Sequence, residues 1–427
     1  MSTTPAAETL HHAAPSQLCI GMFVHLELGW TEHPFPFSSF KIKSPEQIAT
    51  IQGLGLRRVR YSPDRSDAEP LPPPKIDPGQ ADAPAEPTPS PHSELLQAKR
   101  QRIERLVAHR ARVDACEKEV LSKARIVKSL TQNLFAQPAQ VRKDATELVD
   151  DMARSLLVDS DIAIHLMADK VGKEEVYLHS LNVTMLSMML AKELKAPAEA
   201  MRALGLGALF HDIGKIDMPD RVVRKTEAWT KAELGLLQQH CARALELARK
   251  LELPAEALPV LTQHHELLDG SGYPKGLKGD QISLLARIVA LVNRYDNLCN
   301  PNDPAKAMTP HEALSTIFGQ QRTLFDANAL TTFVRCMGIY PPGTIVVLNN
   351  GAIGMVTAVN SSRPLKPSVL IYDPAFKREE AIVVDLEREP DVSIARTLRP
   401  QQLSNEVHTY LSPRRRITHY FDAEPKG

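Results

Sequence analysis

The sequence predicts a mainly α protein, with a helical central domain flanked by a small α+β domain before it and a small β domain after it. Three observations predict this. Apolar residues recur at steps of three and four almost without a break from Pro138 to Met337. Before Tyr61, short β-like runs alternate with turn residues and are interrupted by one short helical pattern. After Pro341-Pro342-Gly343 the texture changes to brief runs rich in β-branched residues.

At 427 residues the chain exceeds what one core organises, and its texture divides it into 1–62, 63–93, 94–137, 138–337 and 338–427. In the first segment Ser44-Pro45-Glu46 opens a helix through Ile48, Ile51 and Leu54, with proline where its missing N–H costs nothing. Arg57 to Tyr61 reads as a strand. Residues 63–93 are rich in proline and nearly free of aliphatic side chains, so they cannot bury a core and read as a semi-extended spacer. Residues 94–137 read as one long helix in which Leu106, Val113, Val120, Val127 and Leu134 fall on every seventh position. Such a seam suits either a coiled coil joining two chains as a homodimer, or a face packed on the next domain. Arg110, Glu117 and Ala124 are poor partners for a strict two-position seam. The helical domain follows. In the last segment Thr344–Leu348, Ala352–Val359, Ser368–Tyr372 and Ala381–Leu386 read as strands, with Asn349-Asn350-Gly351 a hairpin signal between the first two. Arg414-Arg415-Arg416 reads as a solvated tail.

Fifty-one basic and fifty-one acidic residues cancel, so no net field favours nucleic acid or an anionic membrane. No apolar run reaches the roughly 18 residues of a membrane span, and the N-terminus lacks the basic-then-apolar pattern of a secretory leader. The five cysteines are scattered, without a CxxC pair, and suit reduced thiols in the cytoplasm better than a disulfide framework.

The chemistry is carried by histidines and carboxylates on apolar faces. Glu175 and His179 extend the stripe of Val183, Leu186 and Leu190. The nearly all-apolar helix from Leu204 runs into His211, Asp212 and Lys215. Lys215 lies four residues after His211 and three after Asp212, so it faces the same way. Asp296 shares a face with Leu285, Val289 and Val292, where a carboxylate is costly unless paired, hydrogen-bonded or on a metal. One histidine on an apolar face is usually a satisfied core residue. Several imidazoles and carboxylates in one domain, with the adjacent pair His264-His265 ahead of a glycine-rich loop, favour a centre for iron, manganese or zinc. The absence of cysteine ligands argues against a structural zinc site.

These residues stand in a known order: His211-Asp212-Ile213-Gly214-Lys215, His240, His264-His265-Glu266 through Gly272-Tyr273-Pro274, then Tyr295-Asp296. The order resembles that of HD-GYP domain proteins, a subgroup of the HD phosphohydrolase superfamily associated with hydrolysis of cyclic di-GMP, and covers residues 138 to 337. The resemblance implies a helical HD-type metal phosphohydrolase domain. It implies that His179, His211, Asp212 and Asp296 form one metal site, that Asp212 bridges to a second metal held by His240, His264 and His265, and that Glu175 supplies the extra carboxylate of three-metal members. Two or three divalent ions are implied, iron first and manganese second. Asp212 and Lys215 would act in catalysis. Lys215, Gly272, Tyr273, Pro274 and Lys306 would lie on the substrate side, with cyclic di-GMP cut to pGpG or GMP. The first segment resembles a small domain of unknown function often fused ahead of HD-GYP domains, through Gly21-Met22-Phe23-Val24, Phe35-Pro36-Phe37 and Ile42-Lys43-Ser44.

Where members of the family carry an Arg-Pro-Tyr-Lys-like run after the Tyr-Asp pair, this chain has Asn300 to Met308. Lys306 remains, the arginine and tyrosine are absent, and Asp303 brings negative charge close to a dianionic ligand. Asn293 replaces an acidic residue before Tyr-Asp, and Ala244 a common glycine after His240. The alternative these departures leave is a metal-containing signalling protein that binds protein partners and catalyses little.

Overall fold

The computed structural model describes residues 11–28, 33–35, 38–73, 118–158, 163–166, 175–359, 363–374, 381–411 and 419–422. The chain forms two compact units, Met1–His109 and Arg110–Gly427.

In the first unit four short strands pair antiparallel in the order β1 (His11–Ala13), β4 (Val59–Tyr61), β2 (Phe23–His25), β3 (Ser39–Lys41). Helix α1 (Pro45–Gly53) follows Ser44 with Pro45 at its first position. Met22, Val24, Ile42, Ile51 and Val59 are buried together as the core. The register sets Val24 against Tyr61 and Phe40, so alternate residues enter that core. The first residues of the expected spacer are bonded to this unit, Asp67 N–H to the Gly21 carbonyl and Leu71 N–H to that of Gln17. The spacer beyond residue 73, Pro36 with Phe37, and the arginine run at 414–416 lie outside the described residues.

The second unit begins its described part with helix α2 over 118–133. Val120, Ala124, Val127, Leu130 and Leu134 are all buried within the single chain. Val120, Val127 and Leu134 of the heptad series are therefore covered without a second chain; Leu106 and Val113 lie outside the described residues. Helix α3 (Pro138–Val158) leads to strand β5 (Ala163–Leu166) and then α4 (Glu175–Glu193). Helix α5 (Ala198–Phe210) and the short α6 (Asp220–Val223) precede α7 (Lys231–Gln238), α8 (His240–Lys250) and α9 (Leu258–Gln263). Helices α10 (Leu284–Cys299), α11 (Pro310–Gln320) and α12 (Ala327–Met337) complete the helical part.

The centre of this part is α4, packed on α5 and α10. Every residue from Leu181 to Ala191 and from Ala203 to His211 is buried, as expected for helices apolar on all sides. This places the last turn of α5 and the first turns of α4 against one another in the interior.

After α12 come β6 (Ile345–Leu348), β7 (Ile353–Ala358), β8 (Ser368–Ile371), β9 (Ile382–Asp385), β10 (Ile394–Leu398), α13 (Asn405–Leu411) and β11 (His419–Asp422). The sheet runs β10-β6-β7-β5-β11, with β8 also on β7 and β9 on β8. Its pairs are antiparallel, Ile345 opposite Met355 and Val369 opposite Val384. One element departs from the expected all-helical run of 138–337: β5 is a strand, and it joins this last sheet through His165 opposite Ala358 and four pairs with β11. Ala163-Ile164-His165-Leu166 is too short to offset the cost of nucleating a helix, and strand partners are at hand.

Candidate metal centre

Helix ends deliver the site. His179 lies in the second turn of α4, His211 follows α5, His240 begins α8, and His264 ends α9 with His265 directly after it. Asp212 precedes a 3-10 turn over Ile213–Lys215 that sits on the first turn of α8. Gly214 permits that approach, since a Cβ there would stand 2.0 Å from the His240 carbonyl oxygen.

Three imidazoles are fixed in the same way. His211 Nδ1 bonds the Ala208 carbonyl at 2.7 Å, His240 Nδ1 that of Leu237 at 2.6 Å, and His264 Nδ1 that of Val260 at 3.1 Å. A carbonyl only accepts, so each Nδ1 carries hydrogen and each Nε2 presents a bare lone pair. Those lone pairs converge on Asp212. His240 and His264 Nε2 lie 3.4 and 3.7 Å from its Oδ1, while His211 and His179 Nε2 lie 3.6 and 3.7 Å from Oδ2.

The result is two sets of ligand atoms sharing one carboxylate. Asp212, His240, His264 and His265 form one, and His179, His211 and Asp212 the other, with the atoms of each set within 4.8 Å of one another. His211 Nε2, His265 Nε2 and Asp212 Oδ1 are buried without a hydrogen-bond partner. Buried polar atoms are nearly always satisfied. Imidazole nitrogens and a carboxylate, orphaned together, fit the binding of a divalent metal.

Electrostatics agree. Burial pushes the His240 imidazole down to about 4 and holds His211 and His265 well below the ordinary value, so these rings are neutral and free to ligate. Burial, the largest single influence, would raise Asp212, but the Lys215 ammonium together with His211, His264 and His240 outweighs it and keeps the carboxyl well below its usual range. Lys215 Nζ is 2.6 Å from Asp212 Oδ2.

The other expected residues fall into four groups. Asp296, 1% exposed, lies beside the second set rather than within it. Its Oδ2 accepts from His179 Nδ1 at 2.6 Å, and its Oδ1 from the side-chain amides of Asn182 and Asn300 at 2.8 and 3.0 Å. Tyr273 stacks on His265, ring centroids 4.5 Å apart, and its N–H donates to the His265 carbonyl. Gly272 makes this possible: a Cβ there would lie 2.4 Å from Leu267 N. Pro274 follows at the exposed side of the loop. Lys306 stands apart from the cluster, exposed, with Nζ 3.2 Å from the Thr226 carbonyl oxygen and 3.4 Å from Asp303. Glu175 is the first residue of α4, and its side chain lies outside the described residues.

Two residues were given no role from the sequence. Glu266, buried, accepts from the backbone N–H groups of Lys275 and Leu277 at 2.7 and 2.9 Å and so fastens the loop carrying Tyr273. Its signal is an acidic residue directly between two histidines and a glycine-rich loop. Asn182 has a plainer signal, a fully buried amide one turn beyond His179 on a helix whose other buried polar residues are small hydroxyls. Cys241 lies 3.5 Å from His240 Nε2, and burial pushes its thiol up to about 12, so it stays protonated.

The profile of the HD domain matches residues 129–329. That of a domain of unknown function (DUF3391) matches 11–145, and that of a KOW domain associated with the HD domain matches 345–406. Cyclic di-GMP phosphodiesterase PA4108 of Pseudomonas aeruginosa is 31% identical over 366 residues, covering 84% of each chain. The response regulator RpfG of Xanthomonas campestris, a cyclic di-GMP phosphodiesterase, is 30% identical over 210 residues, 48% of this chain and 52% of that one. A 3'3'-cGAMP-specific phosphodiesterase 3 of Vibrio cholerae is 30% identical over 164 residues, 38% of this chain and 35% of that one. The last two matches lie on about half or less of either protein, whereas the first spans most of both, and by that match the chain belongs to the HD-GYP family of HD phosphohydrolases.

Proposed function

We propose that this protein is a metal-dependent phosphodiesterase that hydrolyses cyclic di-GMP to pGpG or GMP. The observation that carries the reading is the convergence of bare imidazole lone pairs on both oxygens of the Asp212 carboxylate. In this reading His179, His211 and Asp212 hold one ion, and Asp212, His240, His264 and His265 a second, with Asp296 and Glu175 completing the set. Iron is the first metal to test and manganese the next. Bound divalent ions supply Lewis acidity toward a phosphate oxygen and lower the pKa of water into the neutral range.

The chain's own groups orient and neutralise. Lys215, partly exposed beside Asp212, offsets charge that grows on phosphate oxygens as the ester bond breaks. Asp212 holds that ammonium in place. Gly272, Tyr273 and Pro274 shape the substrate side of the loop, and Tyr273 steadies the His265 ring. Lys306 offers a further cation to phosphate. We assign the chemistry to residues 138–337, the segments 1–62, 94–137 and 338–427 to signal input and protein partners, and the protein to the cytoplasm, where buried thiols such as Cys241 and Cys299 stay reduced.

The test is turnover. Protein loaded anaerobically with iron(II), or with manganese(II), is incubated with cyclic di-GMP and the linear products are separated. Both metals are expected to support release of pGpG or GMP, and a His211→Ala/Asp212→Ala double variant to release neither. Turnover surviving in the double variant would sink the assignment of the centre. Competition by unlabelled 3'3'-cGAMP then ranks the two nucleotides.

A further inference from the structure

Asp296 is a buried carboxylate that receives amide donors on one oxygen and an imidazole on the other. Oδ1 receives two amide donors, Asn182 Nδ2 at 2.8 Å and Asn300 Nδ2 at 3.0 Å, while Oδ2 receives His179 Nδ1 at 2.6 Å. An ionised carboxylate only accepts, so the amide nitrogens and not the amide oxygens face it. Two donors on Oδ1 leave no place there for an acid proton and hold the carboxylate plane. His179, having given Nδ1–H to Oδ2, turns its Nε2 toward Asp212, 3.7 Å from that residue's Oδ2.

The amides come from both helices that the site must hold in register. Asn182 is on α4, three residues beyond His179, and reaches across to α10. Asn300 caps α10, its backbone N–H bonded to the Asp296 carbonyl at 2.7 Å. A buried amide and a buried carboxylate are each costly alone and compensated by one another. Asn182 is fully buried on an apolar helix. The polar trio reaches the centre through His179, which belongs to only one of the two ligand sets.

We propose that Asn182 and Asn300 are positioning residues for the His179–His211–Asp212 half of the centre, holding the Asp296 carboxylate in place beside His179. The proposal rests on the metal-centre reading above. Outer partners that orient a ligating imidazole commonly contribute about 10–100-fold in metal affinity. That loss should appear in one half only.

The test is uptake of manganese(II) alone by the full chain, read from the disappearance of the free-ion electron paramagnetic resonance signal and from metal content after gel filtration. Asn300→Asp preserves size while replacing the donor by an acceptor, and Asn300→Ser keeps a hydroxyl donor. Asn182→Leu removes the buried donor at similar volume. Two ions per chain are expected in the wild type. In Asn300→Asp and Asn182→Leu one ion should bind about 10–100-fold more weakly and the other as before, with Asn300→Ser intermediate. Two ions bound with wild-type affinity in Asn300→Asp would overturn the inference, as would equal weakening of both. A wild-type protein that takes up no manganese or other divalent ion would overturn the metal reading itself. Should Asn182→Leu fail to fold, the partly exposed Asn300 variants decide.

Discussion

His240 and His264 aim their Nε2 atoms at each other across 3.1 Å, although each ring has already given its Nδ1 hydrogen to a backbone carbonyl. Two facing lone pairs in a buried site repel unless a cation or a shared proton lies between them. A divalent ion held by both nitrogens would satisfy both lone pairs, so metal should stabilise the folded protein. Thermal unfolding in chelator and in excess manganese(II) should differ, by about 2.7 kcal/mol at an ion concentration of 100 times Kd. His264→Ala removes one lone pair and one ligand, so the metal-induced rise in Tm should shrink in that variant. An equal rise in both proteins would place the bound metal elsewhere.

Acid should destabilise the metal-free protein early. The unfolded chain's imidazoles take protons near pH 6.5, while burial holds folded His240 at about 4 and His211 and His265 well below their ordinary value. A depressed folded pKa on a base means that the unfolded state gains the proton first. The stability is complete above pH ~6.5 and is lost as pH falls, for His240 until about 4, at up to ~1.4 kcal/mol per pH unit for each ring. Tm in chelator between pH 7.5 and 4.5 measures this, and His240→Gln should flatten part of the slope. A wild-type curve that is level across that window would contradict neutral buried imidazoles.

Two glycines set backbone approach and should not tolerate a methyl. Gly214→Ala would drive its Cβ to 2.0 Å from the His240 carbonyl oxygen, and Gly272→Ala to 2.4 Å from Leu267 N. The obstacles are backbone atoms and cannot swing aside. The first change should lift the Asp212 turn off α8 and weaken metal binding. The second should disturb the loop while leaving the His179–His211 half in place. Metal content per chain, measured with Tm, separates these outcomes; wild-type values in Gly214→Ala would refute the close seating.

What was legible in the sequence follows from which forces are local. Helices α4, α5 and α10 announce themselves because their apolar positions exceed one face, and the same feature exposes His179, His211 and Asp296 as misfits in a core. Strand β5 was hidden because its partners, Ala358 and the residues from His419 to Asp422, lie about 190 to 260 residues away, and pairing at that range overrides local pattern. The heptad series left two packings open, and the burial of Val120, Val127 and Leu134 within one chain accounts for them without a second copy. The fastening by Glu266 depends on amides nine and eleven residues further on, which spacing alone does not indicate.

Glu266 should matter for loop order more than for metal. Its carboxylate satisfies the N–H groups of Lys275 and Leu277, and two such part-buried bonds to a charged acceptor contribute about 1–2 kcal/mol each. Glu266→Ala should lower stability by ~2–4 kcal/mol and open residues 270–278 to limited proteolysis. Glu266→Gln, which keeps one acceptor oxygen, should fall between. A loop equally protected in all three proteins would show that Gly272 and the Tyr273–His265 stack suffice to hold it.

Lys306 and Asp303 bear on substrate rather than on metal. Their ion pair spans 3.4 Å with Lys306 two-thirds exposed, its side chain at 66%, and exposed pairs of this kind contribute about 0–1 kcal/mol. Releasing the lysine therefore costs little, while a dianionic nucleotide would gain a cation and lose a neighbouring negative charge. Asp303→Asn should leave Tm nearly unchanged and lower KM for cyclic di-GMP several-fold, with kcat unaltered, and Lys306→Ala should raise KM. Both effects should contract as salt shortens the Debye length from about 30 Å at 0.01 M to 8 Å at 0.15 M. If KM is the same in all three proteins at low salt, residues 300–308 make no phosphate contact, and the cation that meets the substrate is Lys215 alone.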